Sequence, residues 1–499
     1  GFPKRGPDES KQNIYICSTL FRPDLNPLKQ LAGQTAIYGM GTIVPRLLNY
    51  LLVPVYTRLL FKAEYGVVTE LYAYIAFFFV LLLYGMETTF FRYAESEKKP
   101  EKVFGTALIS IFTTSLLFFV GVWGFISPVS NLLKYPDQQN FILMAAGIVA
   151  IDAFTDIQFA YLRQQKKPLR FSLIKIITVA INVGLNVYFI WFCDVLYRQD
   201  PDSACLLFYN PEYRVGYVFL SNLISSAAAI ILLSPQLLKV KLTLDPALLR
   251  KMMGYAFPLL IIGITGMINE VSDKIIFKYL APVPEGVGDA HTYIMGELGV
   301  YGANYKLAVL MTLFIQMFRY AAEPFFFAQA KESNARQVYA DVMKYFVVFG
   351  LLIFLVVTLF IDVFKYFIGP EHWEGLHIVP IVLLANLFLG IFYNLSIWYK
   401  LNDLTRYGAV IAIAGSLVTI ATNIILVPRM SYAGAAWGHL FCYMIMMVIS
   451  YFWGKKFYSI PYNLKRIFLY VFSALVLFVV SRYLSPAEQT TRLLLNGFI

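Results

Sequence analysis

Two guanidinium groups stand in the stretch from Pro45 to Gly66, PRLLNYLLVPVYTRLLFKAEYG, where Arg46, Asn49 and Arg58 interrupt an apolar run broken by Pro45 and Pro54. A guanidinium is a planar fork that grips two oxygens of a phosphate at once. Other basic residues with the same potential sit inside apolar runs at Lys175, Lys306 and Arg319. Asp152 and Asp156 are spaced to share one face of a helix. Two close carboxylates in a dry site cannot easily both ionise, which suits a proton-coupled switch or, with Gln158, a small cation site. The plainer alternative pairs them with Lys175. Asn269, Glu270, Asp273 and Lys274 form a further polar cluster. Glu270 and Lys274 have the order of an internal i,i+4 pair, leaving Asp273 and Asn269 as oxygen ligands for sodium or proton coupling. For each basic residue the alternative is a structural pair with Glu70, Glu87 or Glu323, or snorkelling to an interface. His439, beside Gly438, reads as a packed neutral ring.

The elements that carry these groups are membrane-spanning helices. Of 499 residues, 59% are hydrophobic and 14% charged, against roughly a quarter charged in a soluble protein, and the mean hydropathy is +0.64. Apolar runs of the roughly 20 residues needed to cross a bilayer recur almost end to end. Read between charged and Pro/Gly-rich breaks, thirteen spans are expected: Leu31–Val55, Val67–Met86, Phe104–Ile126, Phe141–Leu162, Phe171–Phe192 and Val215–Leu233, then Met252–Leu280, Val300–Phe318, Val338–Ile361, Ile378–Tyr399, Tyr407–Val427 and Tyr432–Trp453, and last Ile467–Leu484. The remaining SPAEQTTRLLLNGFI could begin a fourteenth helix cut short. Residues 1–27 are polar and the first methionine is Met40, so this end reads as a disordered or non-native tail.

Basic residues collect in the loops after the even-numbered spans, from Arg92 and Lys102 to Lys465 and Arg466, while the other loops hold few. This asymmetry places the N-terminus and the even loops in the cytoplasm. It also accounts for the net charge of +11 without nucleic acid. Four cysteines are too few for a disulfide framework; Cys193 and Cys205 could pair only across an oxidising space.

The two halves repeat. Arg58-Leu59-Leu60-Phe61-Lys62 matches Lys274-Ile275-Ile276-Phe277-Lys278, Glu64-Tyr65-Gly66-Val67 matches Glu297-Leu298-Gly299-Val300, and Glu87 with Phe90-Phe91 matches Glu323 with Phe326-Phe327. Six spans per half make the repeats parallel, related by an axis along the membrane normal, with a substrate site between lobes. The domain reading is a lobe at 28–238, a second at 239–458 and C-terminal helices at 459–499. Arg58 thus has a counterpart in Lys274, and Glu87 in Glu323, which makes these four scaffold or gate. Arg46 aligns with Ile262 and has no twin, so it is the first candidate for substrate.

In Arg46, Pro54-Val55-Tyr56-Thr57-Arg58-Leu59-Leu60 and Glu64-Tyr65-Gly66 the chain resembles the polysaccharide flippase family, O-antigen type, of the multidrug/oligosaccharidyl-lipid/polysaccharide (MOP) exporter superfamily. The resemblance runs loosely from Gln30 to Tyr483. It implies an all-α membrane protein of two six-helix lobes, a V-shaped central cavity and two further C-terminal helices. The implied cargo is an isoprenoid-diphosphate-linked oligosaccharide, moved from the cytoplasmic to the outer leaflet of a bacterial inner membrane for surface polysaccharides such as lipopolysaccharide. A monomer without cofactor or metal, set in membrane lipid and working beside glycan polymerase machinery, is the accompanying expectation. Lipid II flippases resemble it near Arg46 and Arg58 but carry another arginine where this chain has Leu52. Arg46, Lys175, Arg319 and Lys306 are the expected headgroup contacts. Asp152, Asp156, Asp273 and Asn269 are the expected coupling groups. A cation-coupled multidrug-type antiporter is the alternative, and a membrane glycan polymerase or ligase a third. No HExxH, phosphate loop or Cys/His metal spacing occurs, and no loop could house a catalytic domain, so an enzyme is not expected.

Overall fold

The computed structural model describes residues 27–484 except Lys98, Phe208, Lys239, Lys241, Lys331 and Asp403. The expected N-terminal tail and the start of a fourteenth helix lie outside the described residues. The first half consists of α1 (Pro27–Tyr50), α2 (Leu52–Leu59), α3 (Lys62–Leu83), α4 (Met86–Ser96), α5 (Pro100–Gly124), α6 (Ile126–Leu132), α7 (Gln139–Gln164), α8 (Pro168–Asn186), α9 (Cys193–Gln199) and α10 (Arg214–Leu237). The second consists of α11 (Pro246–Leu280), α12 (Ala290–Leu307), α13 (Val309–Gln329), α14 (Ala335–Leu359), α15 (Ile361–Phe364), α16 (Val379–Leu395), α17 (Ile397–Leu401), α18 (Thr405–Met430) and α19 (Tyr432–Phe457), followed by α20 (Leu464–Tyr483).

Among the described residues, 11 helices are long and apolar enough to cross a membrane, and 12 if α12 and α13, bent by 49° at Ala308, form one span. These match twelve of the thirteen expected spans. The first expected span is helical but is not among the twelve. It breaks at Leu51 between α1 and α2 and carries Arg46 and Asn49. The second span is longer than expected, from Lys62 to Ser96. It passes through a kink where Tyr84 and Gly85 take positive φ angles of 35° and 73°. Glu87 therefore lies beyond this break, on α4.

In the first half α1 packs on α8, α7 on α5 and α3, and α10 on α7 and α8; in the second, α18 joins α11 to α19, and α16 joins α19 to α14. The halves meet chiefly along α3, which packs on α12 and α11. α20 leans on α14, leaving Phe468, Leu469 and Phe472 exposed, as suits a lipid-facing helix. The connection between the halves is tied down by Asp245, which caps α11 by accepting from Ala247 N at 2.9 Å and Leu248 N at 3.1 Å. It also pairs with Lys102 at 2.5 Å. Lys102 and these amides hold the Asp245 carboxyl below its ordinary range.

Candidate functional site: the cavity between the halves

Three chambers, all touching Asn49, form a cavity in the middle of the fold. The central one, about 360 Å³, lies between Asn182, Asn222 and Tyr72 of the first half and Glu270, Lys274 and Tyr305 of the second. The next, about 490 Å³, runs along the first half past Asp152, Asp156, Lys175, Glu87 and Arg163 and reaches Tyr320 of the second. The third, about 290 Å³, opens between α1 and the α12–α13 bend, and its charged lining residues are Arg46 and Lys306.

One end is sealed by close backbone packing. A Cβ on Gly66 would overlap the Met295 carbonyl, and one on Gly299 the Lys62 carbonyl. Alongside, Gly369 N donates to Thr57 Oγ1 at 2.9 Å, and Tyr50 stacks on Phe367 at 4.5 Å. Lys62 pairs with Glu374 at 2.9 Å. Arg58 donates to the Pro54 carbonyl at 3.2 Å and, from Nη2, to the Tyr366 carbonyl. Arg58 thus clamps α2 to the turn before Pro370, outside the cavity.

Of the expected headgroup residues, three reach the cavity. Arg46 lines two chambers and donates to Gln316 Oε1 on α13. Lys306 lies across the same chamber, where its backbone carbonyl accepts from Tyr50 at 2.9 Å. The Lys175 ammonium sits 3.9 Å over the Phe159 ring, and among the described residues it has no carboxylate within ion-pair distance, so the expected pairing with Asp152 or Asp156 is not formed. Arg319 is elsewhere: it lies 3.9 Å over Tyr393 and 4.0 Å from Glu323, in a small crevice with Lys400.

Among the expected coupling groups, Asp152 accepts from Ser226 Oγ at 2.7 Å, while Asp156 has no hydrogen bond or ion pair among the described residues. Asp273 is fully buried and shared by Tyr301 Oη at 2.5 Å, His439 Nε2 at 3.0 Å and Lys274 Nζ at 3.1 Å. The expected Glu270–Lys274 side-chain pair is corrected. Lys274 Nζ reaches only the Glu270 backbone carbonyl, at 3.1 Å, because the buried Asp273 carboxylate draws the ammonium while Glu270 faces the cavity. Asn269 is held by Ala412 O at 3.3 Å and Thr419 Oγ1 at 3.4 Å. Cys193 and Cys205 are both free thiols.

Glu87 and Glu323 take equivalent parts. Glu87 pairs with Arg163 at the end of α7, and Glu323 with Lys400 at 2.6 Å at the end of the corresponding span. In each half this carboxylate fastens the second span to the fourth.

The chain matches the family described as polysaccharide biosynthesis protein over residues 31–329. It belongs to that family. The fold is shared with the lipid II flippase MurJ in an inward closed conformation, at TM-score 0.66 and 14% identity over 93% of this chain and 96% of that one. It is shared also with an inward-facing multidrug resistance MATE family transporter, at TM-score 0.63 and 12% identity over 87% and 98%. An outward-facing MATE family transporter aligns at TM-score 0.56 and 13% identity over 90% and 97%. No curated protein sequence matches the chain.

Several residues around the cavity escape sequence reasoning. Lys278 pairs with Glu70 at 2.7 Å, both almost wholly buried, and Tyr135 donates to the same carboxylate at 2.5 Å. An amide ladder crosses three helices: Tyr56 Oη donates to Asn186 at 2.8 Å, Asn186 to Asn182 at 3.0 Å, and Asn182 to Asn49 at 3.0 Å. The spacing of Asn182 and Asn186 on one face of an apolar run was the available signal.

Proposed function

We propose that this transporter moves an isoprenoid-diphosphate-linked oligosaccharide across a bacterial cytoplasmic membrane, for cell-surface polysaccharide synthesis. The observation that carries the reading is the third chamber. Arg46 and Lys306 face into it with Gln316, Thr312 and Asn49, and no carboxylate lines it. A diphosphate is small, doubly acidic and rich in acceptors; two cations with neutral donors satisfy it where water is scarce. The chamber lies between α1 and α13; Leu47 of α1, Leu51 just beyond its end, and Leu310 and Met317 of α13 are exposed. That apolar lip suits an isoprenoid tail which stays in lipid while the headgroup enters. Lys175, deeper in the first half, serves as a second cationic contact. Arg319 acts from its crevice as a brace for Glu323 rather than on the headgroup.

The basic loops support a cytoplasmic N-terminus, which places the Gly66–Gly299 seal on the outer side and the cavity on the path from the cytoplasm. Transport then requires that seal to part while the opposite ends approach, with the lobes at 28–238 and 239–458 moving as bodies about the α3–α12 seam. The protein works as a monomer, and its product passes to glycan polymerase machinery. Coupling falls to Asp152 and Asp156, which face the cavity; the Asp273 and Asn269 groups are held in internal bonds.

A cation-coupled multidrug-type antiporter is the second reading, favoured by the Asp156 carboxylate standing without a partner in the larger chamber. Liposomes holding the protein, a lipid-linked oligosaccharide and a cationic drug separate the two. Movement of the lipid alone supports the first reading, and movement of the drug alone supports the second.

A further inference from the structure

The central chamber differs in chemistry from the anion chamber beside it. Beside the charged Glu270, Lys274 and Lys306, its polar wall is made of amides and phenols, and the amides' orientation is set from behind. Asn186, fully buried, anchors Asn182, which in turn donates to Asn49 Oδ1 at 3.0 Å. The Asn49 amide hydrogens are thereby turned into the cavity and have no partner among the described residues. Across the chamber Asn222 Nδ2 donates to the Tyr72 hydroxyl at 3.0 Å. That bond leaves the Asn222 carbonyl oxygen and the Tyr72 hydroxyl hydrogen unused. Tyr305 completes the set: its hydroxyl has no hydrogen bond among the described residues, and the Lys274 ammonium lies 4.4 Å over its ring.

Tyr72 and Tyr305 follow Gly66 and Gly299 at the same remove, so they are repeat equivalents facing one another across the axis. The chamber thus offers, at fixed positions, an amide donor, an amide acceptor and two phenols, each with an aromatic face. A phosphate has no use for the acceptor. A hydrocarbon tail would strand every one of these groups, at a cost for each buried group left unpaired. A sugar ring suits them all: each hydroxyl both gives and accepts a hydrogen bond, and its C–H face packs on an aromatic ring. A volume of about 360 Å³ is within the range of small-ligand sites.

We propose that the chamber bounded by Asn49, Asn222, Tyr72 and Tyr305 is a carbohydrate site that reads the sugars next to the diphosphate held by Arg46 and Lys306. This inference rests on the flippase reading above.

The test measures binding to the full chain in lipid nanodiscs, with polyprenyl diphosphate and with the same lipid bearing a neutral oligosaccharide. Wild type binds the sugar-bearing lipid about tenfold more tightly, one hydrogen-bond set's worth of preference. Tyr305→Phe, which keeps the ring and loses only the hydroxyl, and Asn222→Ala, outside the anion chamber, both abolish the preference while still binding the bare lipid. Arg46→Gln weakens both lipids alike. A wild type that does not distinguish the lipids, or a Tyr305→Phe variant that keeps the preference, overturns the sugar site and leaves the flippase reading standing. A wild type that binds neither lipid overturns that reading and this site with it.

Discussion

Gly66 on α3 and Gly299 on α12 meet across the axis that relates the two halves, each fitted against the carbonyl one helical turn before the other. Lys62 supplies that carbonyl for Gly299, and Met295 supplies it for Gly66. The contact is reciprocal, as the matched positions of the two glycines in the sequence repeat would make it, and hydrogen atoms at both positions are what let the backbones touch. Gly66→Val and Gly299→Val insert a side chain where a carbonyl already sits, so the sealed end must part. Spin labels at Phe61 and Glu371, both exposed at that end, are expected to report a longer separation in either variant. An unchanged distance distribution contradicts the assignment of this contact as the seal.

The Glu70–Lys278 pair spans the same seam, from α3 to α11, with both side chains almost wholly out of solvent. Removing one partner leaves a buried charge uncompensated and costs about 3–5 kcal/mol, whereas replacing both by apolar groups costs far less. Lys278→Met is therefore expected to lower the melting temperature in detergent substantially, and Glu70→Leu with Lys278→Met to recover most of the loss. Thermal unfolding by tryptophan fluorescence checks both.

Arg46 and Arg58 belong to one sequence stretch and are expected to fail differently. Arg58 holds backbone carbonyls at the sealed end, so Arg58→Ala should cost about 1 kcal/mol of stability and change headgroup binding little. Arg46→Ala removes one of the two cations of the anion chamber. Lipid binding should fall about tenfold or more with the melting temperature nearly unmoved. Binding and melting measured on both variants test the separation.

Asp152→Asn keeps the shape of a group facing the cavity and removes its charge. Transport is expected to lose its dependence on an ion gradient while headgroup binding persists. Asp273→Asn should instead destabilise the protein, since Tyr301, His439 and Lys274 all share that carboxylate. Retained gradient dependence in Asp152→Asn removes the coupling role.

Much of the architecture was legible because a bilayer enforces long apolar helices, and because the repeat leaves matched residues at matched helix ends. Glu87 and Glu323 were paired by sequence alone, and the structure gives each a basic partner at the end of the fourth span of its half. What was not legible depends on contacts between distant segments. Nothing local says that Lys278 meets Glu70, or that Asn182 meets Asn49. The i,i+4 rule chose Glu270 for Lys274, but that rule describes a solvated helix surface; here the adjacent, buried Asp273 needed a cation more than the cavity-facing Glu270 did. Arg319 was grouped with the cavity because it lies in an apolar run. Its side chain turns instead to Tyr393 and Glu323, a direction that the helical period does not disclose when both faces are apolar.

The most direct test of the central claim follows the leaflet accessibility of a polyprenyl-diphosphate oligosaccharide in liposomes containing the wild-type protein, Arg46→Ala or no protein. The account predicts protein-dependent movement between leaflets that Arg46→Ala abolishes or slows at least about tenfold. Lipid movement equal to that of empty liposomes, with a cationic drug carried across in the same vesicles, would contradict it.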